Sequence, residues 1–454
     1  MDSQRVVDTP DTDLPELALL GQRPFTVMIS AAGGGMTKFG ETAINRWRAD
    51  ATRDSYGQWC YVREVSSGRI WSATHQPVCA EADSYEVTMD LDRVAFQRRD
   101  GEIETRTEIV VDHDSAAEFR RVTVTNLSGR DAEIELTSYQ EITLATLLAD
   151  RGHRAFSNLF VQTEWIPSAT SVLAMRRPRS ALDSPSWCGH TIASAVGDDS
   201  SVSCETDRAK FIGRGRSSRN PVAMGKAGDL AGNTGAVLDP VIALRKTLGV
   251  PAGGSARVVF TTFAAKDRDD ALAKADLYSR LTETEKLFRK EEDSERKLLE
   301  TLEITPFEAR FSQGWAAALV YQRGGLRDER EPVPGDRSQL VSIGITAEWP
   351  VAYAHIVADP AGDFDLPLKT YLYWRAKGIT CDLVLFCDDD NAVVRTRDRV
   401  SEVLYKLGIT GTLDRPKGIH IMSVDAIDRG TYDLLKSVAL SLNSARMHRV
   451  PARE

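Results

Sequence analysis

Residues 57–77, GQWCYVREVSSGRIWSATHQP, hold two tryptophans, a tyrosine, two arginines, a histidine and two glutamines. These types suit a sugar, whose C–H faces stack on rings while its hydroxyls need fixed donors and acceptors. Trp59, Arg63, Trp71, His75 and Gln76 are therefore the candidate substrate-binding residues. The competing account is a sandwich strand whose aromatics fill the core. Arg176, Arg177 and Arg179 form a candidate secondary polar patch, with a solvated loop as the plainer account. Among carboxylates, Glu141 in SYQEI and Glu164 in QTEW sit in strand-like text, where an ionised glutamate needs partners. Glu348, in SIGITAEWP, precedes a strand of a different kind. Glu141 and Glu348 are the candidate catalytic residues; for Glu141, as for Glu164, a structural pairing is the alternative.

Other chemistries find no footing. There is no GxSxG elbow, no HExxH or HxxxH, and the seven histidines are dispersed. The six cysteines are scattered without a CxxC pair, so reduced thiols are expected rather than disulfides or a metal site. The glycines at 33–35 and the GRGRS at 213–217 lack a strand-to-helix setting, so no nucleotide cofactor is implied.

The elements that must position these residues change character along the chain. Residues 1–22 read as an acidic, Pro-containing lead-in, and 23–265 as a large antiparallel β-sandwich. Within it, WCYVREV–SSG–RIWSAT is a hairpin that puts Trp59, Tyr61 and Arg63 on one face and Cys60 and Val62 on the other. Asp100-Gly101 marks a second hairpin, and the run from Asn126 to Asp131 marks a third. Residues 198–235 read as long loops over the sheets. Residues 266–335 are a helical, charge-rich linker ending in RGGLRDEREPVPG. Residues 336–454 alternate buried strands with helices, a small parallel α/β domain. The fold class is thus mainly β plus α/β.

A net charge of −9 argues against a nucleic-acid partner, and no apolar run reaches the length of a transmembrane segment. With no secretory signal at its start, the chain is expected in the cytoplasm, membrane-associated only through a partner.

Longer motifs carry a resemblance. NRWRADATRD, the 57–77 stretch, DSYEVTMDLDRVAFQRRDG, IELTSYQEI, HRAFSNLFVQTEW, ETDRAKFIGRGRSSRNP and NTGAVLDP together resemble the cyclic β-1,2-glucan synthases, at their first phosphorylase-type sandwich segment. More distantly, the chain is similar to the N-terminal sandwich of cellobiose- and chitobiose-type glycoside phosphorylases. The resemblance implies a sandwich that packs against a catalytic barrel and helps shape a sugar site. The barrel's catalytic aspartate motif and WNDG-type run do not occur in this chain, and QLVSIGITAEWP and TYLYWR depart from the family text of the tail. The expectation is a carbohydrate-binding or scaffolding module for β-glucan, with an oligosaccharide and a catalytic barrel domain or partner subunit as its partners. Two alternatives stand beside it: a stand-alone hexosyltransferase of phosphorylase or transglycosylase type, and a structural remnant of a split synthase.

Overall fold

The computed structural model describes residues 4–180, 186–195, 201–288, 292–322, 335–346, 348–356 and 365–443. It forms two compact units, residues 1–295 and 296–454.

The first unit is built from two antiparallel nine-stranded sheets. One runs, in spatial order, Arg5–Val7, Ser84–Met89, Arg93–Asp100, Ile103–Asp112, Ala117–Asn126, Ser255–Ala265, Ser186–Ser194, Ser171–Arg176 and Val161–Ile166. The other runs Val202–Asp207, Pro240–Val250, Ala132–Ala145, Thr42–Asn45, Gly35–Phe39, Phe25–Ser30 and Leu17–Gln22, with Gln58–Glu64 paired to Ala132–Ala145 and Ile70–Ser72 paired to Gln58–Glu64. Alternating apolar residues such as Phe96, Ile109, Val122 and Phe260 from one sheet meet Ile29, Leu136, Ile142 and Leu244 from the other. This is the expected sandwich.

Two differences from the sequence reading have physical causes. Strands begin at Arg5 rather than after residue 22: Arg5–Val7 pairs with Ser84–Met89, and the buried run Leu17–Leu20 pairs with Phe25–Ser30. Gly21 makes that hairpin possible: its φ is +68°, and an added Cβ would lie 2.6 Å from the Phe25 carbonyl oxygen. The segment from Asn126 to Asp131 does not close a hairpin. Ala117–Asn126 pairs with Ile103–Asp112 and Ser255–Ala265, whereas Ala132–Ala145 lies in the opposite sheet, so the segment crosses between layers. Asn126 pins the crossing by donating to the carbonyls of Arg130 (2.7 Å) and Val250 (3.1 Å). Alternation cannot distinguish the two connections when both strands are buried on nearly both faces. The Asp100-Gly101 hairpin is present, with Ile103 paired to Asp100.

The helices Arg268–Tyr278 and Leu281–Leu287 belong to the sandwich rather than to a free linker. Tyr278 packs edge-on against Phe119 (5.1 Å between centroids), and the Arg121 guanidinium lies 4.3 Å from the Phe288 ring centre. The stretch RGGLRDEREPVP at 323–334, read as the linker proper, lies outside the described residues.

The second unit holds a parallel four-stranded sheet in the order Ile419–Ser423, Asp382–Cys387, Val351–Ile356, Leu440–Ser441. Helix Arg429–Val438 covers one face through Leu434 and Leu435. Helix Pro306–Tyr321 packs against Asp365–Ala376, where Trp374 Nε1 donates to the Ser312 carbonyl (2.6 Å). All six cysteines are free, and among the described residues no helix is long and apolar enough to cross a membrane.

Candidate functional site

The strand Gln58–Glu64 and its partner Ile70–Ser72 form the expected hairpin, with Val62 opposite Trp71. That pairing puts Val62 and Trp71 on the inner face, within the inter-sheet core. Trp59 and Tyr61 point the other way, into a second cluster with Tyr139, Phe211, Ile212 and Met224. The two tryptophans therefore sit on opposite faces of one sheet. Both are buried, at 4% and 2% exposure, so neither ring offers an open face in this arrangement.

The cover over Trp59 comes from residues read as loops. Asp207 caps the helix Arg208–Ile212 by accepting from the Ala209 amide, and Phe211 stacks on Tyr139 (4.6 Å between centroids). Arg63 donates to the Met224 carbonyl (2.5 Å) and Tyr61 to the Ser218 carbonyl (2.6 Å), fastening the cover to the strand. Gln76 is buried and donates to the Arg53 carbonyl (2.7 Å). His75 is half-buried beside Tyr85; burial, then Arg98 and Arg219, lowers its pKa.

Glu141 lies at the centre of an ionic cluster that sequence reasoning did not assemble. Its Oε2 accepts from Arg46 (2.5 Å) and Arg154 (3.4 Å), and its Oε1 from Arg208 (2.6 Å) and the Tyr139 hydroxyl (3.2 Å). Arg46, fully buried, also binds Asp150 (3.0 Å) and Asn158 (3.1 Å). Arg154 and Asn158 reach Asp239 (3.1 and 2.9 Å). Burial alone would raise the Glu141 pKa, but the guanidiniums of Arg46, Arg208 and Arg154 outweigh it and hold it at about 2. A carboxyl so held has no proton to donate at neutral pH, and both its oxygens are occupied. It acts as an anchor that ties Arg46, the helix Arg154–Asn158 and the helix Arg208–Ile212 to one strand. Glu164 pairs at the surface with Arg268 (2.6 Å). Glu348 belongs to the second unit, exposed on the turn before Val351–Ile356.

A third polar assembly bridges the sheets. His190 Nδ1 meets Thr262 Oγ1 (2.8 Å) and its Nε2 meets Ser138 Oγ (2.9 Å), with the Phe260 ring stacked alongside. Thr262 donates to Gln58 Oε1 (2.9 Å), which assigns the imidazole proton to Nδ1 and the acceptor role to Nε2. Burial, followed by the charge of Arg120, lowers the His190 pKa to about 3. Beside it, a cavity of about 20 Å³ is lined by Gln58, Thr107, Arg120, Gln140 and His190, room for about one water and none for a sugar.

These two shifts act in the same direction. Between about 6.5 and 3 the unfolded chain protonates His190 while the folded chain does not; between about 4.5 and 2 the same holds for Glu141. Stability contributed by both groups is complete above about pH 6.5 and falls as pH drops through that window. Denaturant midpoints should therefore be lower at pH 4 than at pH 8; equal midpoints would contradict the assignment.

Comparison with known proteins places this geometry. The profile described as "Glycosyl hydrolase 94, supersandwich domain" matches residues 3–281. The chain belongs to this family. The match ends in the helices that pack on the supersandwich, in agreement with their place in the first unit. The chain is also similar to the cyclic beta-(1,2)-glucan synthase NdvB of Rhizobium meliloti (strain 1021), 30% identical over 97% of the chain and 16% of that protein. It thus spans about a sixth of that relative's length. An N,N'-diacetylchitobiose phosphorylase of Vibrio proteolyticus is 26% identical over 48% of the chain and 27% of its own length. Among solved structures, a putative kojibiose phosphorylase from the human microbiome aligns at TM-score 0.37 and 9% identity, over 73% of this chain and 42% of that one. The supersandwich is accordingly related to both glucan synthases and glycoside phosphorylases, as its motifs indicated.

Proposed function

We propose that this chain is a cytoplasmic β-glucan-handling module that holds a glucan chain, or a catalytic barrel acting on one, without cleaving glycosidic bonds itself. Similarity to the glucan synthase along nearly the whole chain supports the substrate class. The state of Glu141 is the observation that carries the rest. Glu141, the strand carboxylate among the candidate catalytic residues, is saturated by three arginines and held at about 2. Glycoside cleavage needs a carboxyl that delivers a proton near neutral pH, and phosphorolysis needs a comparable donor to the leaving oxygen.

Within the 57–77 stretch, the half-buried His75 and Arg63 are the residues whose edges would meet a sugar, and Trp59, Trp71 and Gln76 serve by fixing the strands beneath them. Incubating the pure chain with β-1,2-glucooligosaccharides and phosphate tests this reading. The expected outcome is no glucose 1-phosphate and no change in chain length. Turnover that survives Glu141→Gln but fails in Glu348→Gln would place an active site in the second unit and overturn it.

A further inference from the structure

A seam of polar side chains crosses the interior of the sandwich, and its hydrogen bonds all run one way. Ser138 Oγ accepts from the Leu244 amide (3.1 Å), so its hydroxyl proton goes to His190 Nε2. His190 Nδ1–H donates to Thr262 Oγ1, and Thr262 donates to Gln58 Oε1. Gln58 Nε2 then donates to Thr37 Oγ1 (2.7 Å) and to Glu118 Oε2 (2.9 Å), and Thr37 donates to the same carboxylate oxygen (2.6 Å). Glu118, fully buried, is the acceptor that orients the chain. Arg120 balances its charge: Nε and Nη2 each lie 2.6 Å from Glu118 Oε1, while Nη1 donates to the Gln58 carbonyl (2.8 Å).

Two groups beside this chain are left over. Gln140 and Thr107 are 1% and 3% exposed, and both line the cavity of about 20 Å³. Neither Gln140 Oε1 nor Thr107 Oγ1 has a partner among the described residues. Turning the Gln140 amide over does not cure this. Thr262 has already given its hydroxyl proton to Gln58, so Gln140 must present Nε2–H to it (3.2 Å) and keep Oε1 as the unfilled acceptor. Arg120 lines the same cavity, with an N–H on each terminal nitrogen beyond those already described.

We propose that this cavity is the binding site of one internal water molecule that joins the two sheets. The water donates to Gln140 Oε1, on the strand Ala132–Ala145. It exchanges a hydrogen bond with Thr107 Oγ1 and accepts from Arg120, both on the opposite sheet. The volume exceeds the roughly 10–15 Å³ that one water requires, and three polar partners are what such a water ordinarily has. The lining also selects the occupant. Gln140 Oε1 turns a lone pair toward any anion, the Arg120 guanidinium repels any cation, and an apolar molecule leaves both orphan groups stranded. This inference does not depend on the glucan reading.

A crystal structure of the intact chain, at a resolution that orders internal waters, provides the test. The expected result is one density peak within hydrogen-bond reach of Gln140 Oε1, Thr107 Oγ1 and Arg120, as well ordered as the side chains around it. A featureless cavity would overturn the proposal, as would a direct hydrogen bond between Gln140 Oε1 and Thr107 Oγ1. An anomalous peak at the site in bromide-soaked crystals would assign it to an anion and overturn it equally. In solution, deuteron relaxation dispersion should lose about one long-lived water when Thr107→Val and Gln140→Met are combined, since the pair removes both orphan groups at similar volume. An equal count in the folded double variant would contradict the assignment; if that variant does not fold, the wild-type density decides alone.

Discussion

Replacing Arg46 with methionine is expected to cost the sandwich about 3–5 kcal/mol, the range seen when one partner of a buried ion pair is removed. The Arg46 guanidinium is fully buried and shared between Glu141 and Asp150, whose side chains are 16% and 4% exposed. Arg208 and Arg154 would still serve Glu141, but Asp150 would lose the cation that its carboxylate faces. The double substitution Arg46→Met with Asp150→Leu should recover part of the loss, because an apolar pair leaves no charge stranded. Chemical denaturation of wild type and the two variants measures this. A loss under about 1 kcal/mol in Arg46→Met would mean that water screens the cluster as it does a surface pair.

Trp71→Ala should be comparably severe, about 3–5 kcal/mol, since a large aromatic removed from a packed core leaves both lost transfer energy and a cavity. Its ring fills the inter-sheet core opposite Val62 and carries Arg69 5.4 Å from its centre. A ring serving only as a sugar platform would change stability by about 0.5 kcal/mol or less, as exposed side chains do. Thermal unfolding separates the two roles. Loss of glucan binding in this variant would not identify a contact, so His75→Ala, at a half-buried position, is the better probe of the same stretch.

Much of the fold is legible in the sequence. Period-2 alternation and turn residues announced the sandwich, and the apolar strands after residue 350 announced the parallel layer. The face assignment of Trp59, Tyr61 and Arg63 against Cys60 and Val62 also followed from alternation, and the sheet keeps it. What covers each face did not follow. The segment 208–225 closes over Trp59 from far along the chain, and nothing local to either stretch signals that contact. The same limit applies to Glu141. An ionised glutamate among strand residues required partners, yet Arg46, Arg154 and Arg208 lie 95, 13 and 67 positions away. The crossing from Asn126 to Asp131 reads as a hairpin in the sequence because turn chemistry specifies a reversal of direction, not which sheet receives the next strand.

Calorimetric titration of the intact chain with β-1,2-glucooligosaccharides of increasing length tests the glucan-handling reading most directly. The account predicts saturable binding that strengthens with chain length, weakens in His75→Ala, and leaves the oligosaccharides unchanged when recovered. The absence of any saturable heat with the longest oligosaccharide would contradict it.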